Sequence, residues 1–347
     1  MITNLARGFV QTGYKVDLVL VKSLGEHIAS IPKEVNLVEL GSKHTFTSLP
    51  KLISYLKKAR PTAMLAAKDR AIKVAVLARI FSGIEFRLVG RLGTTVSAAL
   101  EGKSRLKKLI WYNTMRMFYR GVDKIIAVSR GVADDVLNIT GLPRDRVCVV
   151  HNPVWRPEIM QLANEPVEHP WFDESAIPII LGAGRLTRQK DFPTLLRAFA
   201  KLHQQRPCRL IILGEGQLRS PLQQLAEELG FENDFALPGF VKNPYAYLSR
   251  SSVFVLSSLW EGSPNVLTEA LALGIPVVAT DCPSGPVELL AHGKYGELVA
   301  MGDIDGLAQA IARTLDHPHP PEFLKQAVKE YTVEASTKGY LKALGLG

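Results

Sequence analysis

Residues 177–216 read IPIILGAGRLTRQKDFPTLLRAFAKLHQQRPCRLIILGEG, and this stretch decides the fold. An apolar run, IPIILGAG at 177–184, ends in glycine. DFPTLLRAFAKLHQQ, at 191–205, then has helical spacing, with Asp191 at the capping position. CRLIILGEG, at 208–216, is again an apolar run into a glycine turn. Strand, turn, helix and strand in that order predict a parallel sheet covered by helices. The alternation continues. LRSPLQQLAEELG reads as a helix closed by Gly230, and SVFVLSS as a strand. NVLTEALALG, IPVVATD and GPVELLAHG follow as helix, strand and helix. Ligands of such sheets gather at the carboxyl ends of the strands, beside helix N-termini.

The first half repeats the pattern less cleanly. NLARGFVQTG predicts a helix ended by Gly13, and KVDLVLV a strand; RLVGRLG, VDKIIAVS and RVCVVHN predict later strands. Pro153, Pro157, Pro166 and Pro170 mark 152–176 as a linker. The expected architecture is α/β, with two Rossmann-like doubly wound parallel-sheet domains. Residues 1–151 form the first, 177–330 the second, and 331–347 a C-terminal helix. A doubly wound domain normally opens on a strand, whereas this chain opens on a helix. The first strand of the N-terminal domain is therefore expected to be missing. That would leave an apolar slot and unpaired backbone groups, which are costly when buried.

A chain of 347 residues suggests two domains, and 47% hydrophobic residues supply a core for each. No apolar run reaches the roughly 18 residues that span a bilayer, and no signal-peptide pattern opens the chain. Cys148, Cys208 and Cys282 are scattered without metal-ligand spacing and read as reduced thiols of a cytoplasmic protein. Charge is uneven. Residues 1–150 carry 25 Lys and Arg against 11 Asp and Glu, and the remainder carries 17 against 22. A basic surface attracts anionic lipid, nucleic acid or phosphorylated ligands, or is simply solvated.

Four loops of the second half point the same way. In GAGRLTRQKDF a strand ends at Gly184, and Arg185 and Lys190 precede a helix. Small residues let a phosphate approach the backbone, and two cations neutralise it; two solvated loop cations are the alternative. Gly214 and Gly216 form a second strand-end turn. In EGSPNVLTE, 261–269, Pro264 suits a first helical turn. Glu261 then lies on the loop and Glu269 in the helix, with backbone amides of 262–266 facing an anion or a sugar oxygen. CPSGPVELL, 282–290, repeats the device with Glu288 inside its helix.

GRLTRQKDF, EGSPNVLTEALALGIPVVATD and SGPVELL closely resemble the retaining family-4 glycosyltransferases, also called glycosyl transferases group 1. VDKIIAVSRGVADDV and VVHNPV resemble the end of that family's first domain and its linker. The resemblance runs from about residue 2 to the end and implies a GT-B fold with a nucleotide-sugar donor. It implies that Arg185 and Lys190 bind the donor diphosphate and stabilise the charge of the departing group. Glu269 would accept hydrogen bonds from ribose hydroxyls. Glu261 would hold sugar hydroxyls beside main-chain groups of Gly262, Asn265 and Val266. Gly184, Gly214, Gly216 and the stretch near Gly239 would pass close to base and phosphates. The two glutamates thus grip two parts of one donor, unlike the facing carboxyl pair of a glycosidase. Arg185, Lys190 and Glu261 are the catalytic candidates. The donor is expected to be a UDP-sugar, without prosthetic group or metal. The Asp-x-Asp at 303–305 directly precedes GLAQAIARTL and reads as a helix cap.

The match departs in two places. The opening strand and its Gly-Gly turn are absent from the quoted residues. The histidine many relatives carry after a mid-domain strand is also absent from RLVGRLGTTVS. Arg91 and Thr94 occupy that neighbourhood. Arg91 would touch the acceptor or a phosphate, or make a structural salt bridge. KSRLKKLIWYNTMRMFYR, 103–120, is basic and aromatic-rich; Leu106, Leu109, Ile110, Met117 and Phe118 fall on one stripe of a helix. It reads either as a membrane-surface helix serving a lipid-linked acceptor or as a helix packed on the first domain. No nucleic-acid motif accompanies the basic residues. The expectation is a retaining transferase acting on a glycan or polyprenyl-linked acceptor in surface glycan synthesis. It would be cytoplasmic and peripheral on the inner face of the plasma membrane. The alternatives are a truncated or inactive nucleotide-sugar-binding protein and a UDP-sugar epimerase.

Overall fold

The computed structural model describes residues 1–22, 31–172 and 177–347. The chain divides into two compact units, residues 1–154 with 331–347 and residues 155–330. In chain order the first unit holds α1 (Ile2–Gln11), β1 (Asp17–Leu20), β2 (Asn36–Glu39), α2 (Leu49–Ala59), β3 (Ala63–Ala67) and α3 (Asp69–Ser82). It continues with β4 (Arg87–Leu92), α4 (Val96–Ala99), α5 (Arg105–Tyr119), β5 (Lys124–Ala127), α6 (Arg130–Thr140) and β6 (Val147–Val149). The second unit runs through α7 (Glu158–Ala163), β7 (Ile179–Ala183), α8 (Phe192–His203), β8 (Arg209–Leu213), α9 (Arg219–Glu228), β9 (Phe235–Gly239) and α10 (Pro244–Arg250). It ends with β10 (Val253–Leu256), α11 (Asn265–Leu273), β11 (Val277–Thr280), α12 (Pro286–Leu289), β12 (Glu297–Val299), α13 (Ile304–Asp316) and α14 (Pro321–Lys325). The last helix, α15 (Val333–Leu344), belongs to the first unit.

In the first unit β3-β4-β5-β6 form a four-stranded parallel sheet, while β1 and β2 pair in parallel as a separate two-stranded sheet. Strand alternation sets the two faces of the larger sheet. Leu88 and Ile125 join Leu56, Ile72, Met115 and Tyr119 on one side. Their strand neighbours Val89 and Ile126 join Leu5, Tyr340 and Leu344 on the other. Tyr340 and Leu344 therefore dock α15 onto this sheet, a partner its sequence did not reveal. Gly90 faces the first side, where a Cβ would stand 2.9 Å from the Ile72 side chain, so glycine lets α3 close on the strand.

The second unit carries six parallel strands in the order β12-β11-β10-β7-β8-β9. The chain leaves β7 for β8 and β9 on one side and returns to β10, β11 and β12 on the other. The order thus reverses between β7 and β10. Strands β7, β10 and β11 are buried along their whole length, as expected of apolar runs covered on both faces. The segment 152–176 is more than a linker: it contains α7, and its Asn152–Val154 end belongs to the first unit. Residues 173–176 lie outside the described residues. Asp191 occupies the N-cap position of α8, but its carboxylate takes the Thr194 hydroxyl at 2.7 Å instead of a backbone amide.

Candidate functional site

Because strand order reverses between β7 and β10, the loops that follow them are neighbours at the carboxyl edge of the sheet. Lys190 closes the short turn Arg188–Lys190 of the first loop, and Glu261 lies on the second. Lys190 Nζ stands 2.7 Å from Glu261 Oε1, and Ser258 Oγ donates to the same oxygen at 2.8 Å. The two side chains keep only 16% and 10% of their surface exposed. Backbone links hold both loops. Ser257 Oγ donates to Lys190 O at 2.7 Å, Leu259 N to Gln189 O at 2.8 Å, and Gln189 Nε2 to Trp260 O at 2.8 Å. Glu261 N donates to Pro283 O at 2.9 Å, tying in the loop after β11.

The loops after β7, β8 and β9 meet backbone to backbone. Gly184 N donates to Leu213 O at 2.9 Å and Gly214 N to Gly239 O at 2.8 Å. Gly214 has φ of +130°, and a Cβ there would fall 2.0 Å from Gly184 O. Only glycine satisfies both constraints. A Cβ on Gly184 would meet the Lys190 stem at 2.7 Å, and one on Gly216 would meet Leu186 O at 2.4 Å. Arg185 is exposed in the same loop and has no ion-pair partner among the described residues. The edge therefore brings a paired cation, an exposed cation and close-packed main chain together.

Glu269 lies in α11, with different neighbours. Tyr245 Oη, from α10, stands 3.4 Å from Glu269 Oε1. Although the side chain is half-buried overall, burial raises its carboxyl to about 7 and outweighs every opposing pull, the Tyr245 hydrogen bond and the Arg156 charge among them. Burial and the Glu269 charge likewise raise the Tyr245 hydroxyl. Ser258, Tyr245 and Arg156 carried no sequence signal: Ser258 is one serine at a strand end, and Arg156 sits among prolines. Gly262 packs under Gly285, where a Cβ would meet Gly262 O at 2.7 Å. Asn265 and Val266 stand in the first turn of α11, as expected. Burial, then the Glu261 charge, pushes the Cys282 thiol up to about 12.

Asp303 accepts from Gly306 N at 2.8 Å and caps α13, and Asp305 pairs with Lys201. Both acids of the Asp-x-Asp thus have local partners. Among the described residues no group of three or more His, Cys, Asp or Glu could hold a metal ion. In the first unit Arg91 makes no ion pair among the described residues. Its Nε donates to Tyr340 Oη at 2.9 Å and its Nη2 to Asn152 Oδ1 at 2.7 Å, both neutral acceptors. Thr94 Oγ1 is buried, with no hydrogen-bond partner among the described residues.

Two family profiles divide the chain between them: Glycosyltransferase Family 4 matches residues 1–154, and Glycosyl transferases group 1 matches residues 170–331. The chain belongs to the family-4 glycosyltransferases. An uncharacterized glycosyltransferase of Methanocaldococcus jannaschii is 32% identical, over 72% of this chain and 66% of the relative. A Campylobacter jejuni enzyme is also 32% identical, over 72% of this chain and 65% of its own. Its name is N-acetylgalactosamine-N,N'-diacetylbacillosaminyl-diphospho-undecaprenol 4-alpha-N-acetylgalactosaminyltransferase. The chain thus spans just under two thirds of the length of these relatives. Anabaena HepE, solved in complex with UDP-glucose, superposes with a TM-score of 0.80 at 18% identity, covering 99% of this chain and 95% of HepE. A glycosyltransferase of Rickettsia africae gives 0.75 at 17% identity over 98% and 92%. The fold of this family-4 chain is GT-B.

Proposed function

We propose that the chain transfers a hexose or N-acetylhexosamine from a UDP-sugar to a glycan or polyprenyl-linked acceptor, in surface polysaccharide or glycoconjugate synthesis. The observation that carries this reading is the Lys190–Glu261 pair, 2.7 Å apart where the strand order of the second unit reverses. Lys190 and Arg185 neutralise the donor diphosphate, and the closely approaching main chain at Gly184, Gly214 and Gly216 leaves it room. When a diphosphate takes over Lys190, Glu261 is freed to accept from sugar hydroxyls, still oriented by Ser258. Glu269 accepts from the ribose. As the bond from the sugar to the diphosphate breaks, negative charge builds on the leaving oxygen, and the two fixed cations stabilise it there. The leaving phosphate takes the acceptor proton, attack comes from the same face, and the anomeric configuration is retained. Cations fixed by the protein perform the charge compensation, so the reaction runs without a metal. UDP-glucose bound to HepE and the lipid-linked sugar named for the Campylobacter relative support the choice of donor and acceptor class.

The acceptor side of the reading rests on α5. Met115 and Tyr119 are buried, and Phe118 packs against the core rather than joining the outer stripe. Leu106, Leu109, Ile110 and Met117 remain more than half exposed, as do Ile80 and Phe81 of α3. Exposed Lys103, Arg105, Lys107 and Arg116 accompany the stripe. Apolar side chains ringed by cations suit the surface of an anionic membrane, such as the inner face of a plasma membrane. No helix among the described residues is long and apolar enough to cross one.

A donor screen with purified protein tests the proposal, following hydrolysis and transfer with each nucleoside-diphosphate sugar. UDP-sugars are expected to turn over. Arg185→Ala or Lys190→Ala should slow transfer about 100-fold, equivalent to about 2.7 kcal/mol of lost charge stabilisation. Near-normal rates in both variants sink the assignment. Binding without turnover favours a nucleotide-sugar-binding protein, and epimerisation of the donor without acceptor favours an epimerase.

A further inference from the structure

We propose that the loop after β4 in the first unit is a binding site for a phosphoryl anion, held by Arg91 and Thr94. Arg91 is the penultimate residue of β4, near the carboxyl edge of the four-stranded sheet, and is only 7% exposed. Among the described residues no carboxylate lies within ion-pair distance of it. Its two bonded nitrogens, Nε and Nη2, donate to the neutral oxygens of Tyr340 and Asn152. A neutral glutamine would satisfy one of these acceptors without taking a charge out of water. Burying a guanidinium against neutral partners alone is unfavourable, and an anion removes that penalty.

The geometry leaves a donor for that anion. Tyr340 and Asn152 fix the plane of the guanidinium, and Nη1 has no hydrogen-bond partner among the described residues. Nη1 lies close over Gly93, where a Cβ would stand 2.9 Å away, so the absent side chain keeps the approach to it open. One residue further on, Thr94 Oγ1 is buried and has no partner among the described residues. A fixed guanidinium N–H and a hydroxyl, both lacking acceptors within three residues of one strand end, call for an acceptor-rich ligand. Phosphate oxygens accept from both, and the bond from the guanidinium is charge-assisted. Asp69, the nearby acid that opens α3, is held by Lys73 at 2.9 Å and by the Tyr119 hydroxyl at 3.0 Å, and does not neutralise Arg91. The inference rests on the transferase reading only for the source of the anion, which on that reading is the diphosphate of a polyprenyl-linked acceptor.

Calorimetric titration of inorganic pyrophosphate into the full chain saturated with UDP reads this site apart from donor binding. The wild type is expected to take up one further pyrophosphate, and Arg91→Gln to bind it at least tenfold more weakly. Should Arg91→Gln fail to fold, Asn152→Asp carries the test. It places a carboxylate against Nη2, pairs the guanidinium internally, and should weaken pyrophosphate at least tenfold while raising the melting temperature. Farnesyl diphosphate binding at least tenfold tighter than pyrophosphate assigns the site to a lipid headgroup; equal affinities assign it to a free phosphoryl anion. No pyrophosphate uptake by the UDP-saturated wild type, or unchanged affinity in a folded variant, overturns the proposal. Loss of UDP binding with pyrophosphate binding intact would count against the donor assignment alone.

Discussion

Replacing Lys190 by Met strands the Glu261 carboxylate beside Ser258 with its cation gone. At 2.7 Å the attraction is about 6 kcal/mol for an effective dielectric near 20. Desolvating two side chains that are 16% and 10% exposed cancels much of this. Either single change, Lys190→Met or Glu261→Gln, should therefore cost about 3 kcal/mol, because each removes one half of a mostly buried ion pair. The double variant removes both charges and should cost clearly less than the sum, with a coupling of about 2 kcal/mol. Urea unfolding of the four proteins, followed through the transition of the second unit, measures that coupling. Raising the salt should hardly change it, since a mostly buried pair is weakly screened. Strict additivity, with coupling under about 0.5 kcal/mol, would refute the claim that the two side chains act as one unit.

Three further outcomes follow from other parts of the molecule. Glu269 has a folded pKa of about 7 against an ordinary 4.5, so the folded state holds this proton more tightly. The resulting stability is complete below pH 4.5 and is lost as pH rises through 7, by up to about 3 kcal/mol; Glu269→Gln should flatten that fall, and parallel stability–pH curves would disprove it. Gly214→Ala puts a methyl group 2.0 Å from Gly184 O at a φ of +130°, and should cost about 3 kcal/mol or more in thermal unfolding; an unchanged melting temperature contradicts the packing argument. Leu109→Glu with Ile110→Glu should abolish co-sedimentation with anionic vesicles while leaving donor hydrolysis intact; undiminished sedimentation removes α5 as the membrane contact.

The second unit was legible because its strands are unbroken apolar runs and each turn is punctuated by glycine. Gly184, Gly214, Gly230 and Gly274 all adopt the positive φ that marks such turns. Glu261 on a loop and Glu269 in a helix followed from Pro264 alone. The pairing of Lys190 with Glu261 did not, because residues 71 positions apart meet only once strand order is known. Tyr245 and Arg156 beside Glu269 are contacts of the same long-range kind. The docking of α15 on the first unit was hidden as well, since its apolar stripe names no partner. Asp191 shows the limit of local rules: it stands where a cap belongs, yet φ of +44° turns its carboxylate to the Thr194 side chain. Phe118 left its predicted stripe because the core drew it in, and the four aliphatic residues that stayed outside are the more informative set.

The most direct test is a calorimetric titration of UDP into the full chain, its Lys190→Ala variant and its Arg91→Gln variant. Saturable one-to-one binding, weakened at least tenfold by Lys190→Ala and untouched by Arg91→Gln, is the predicted result. Absence of saturable binding, or equal affinity with and without Lys190, contradicts a diphosphate seat where the second sheet reverses its order.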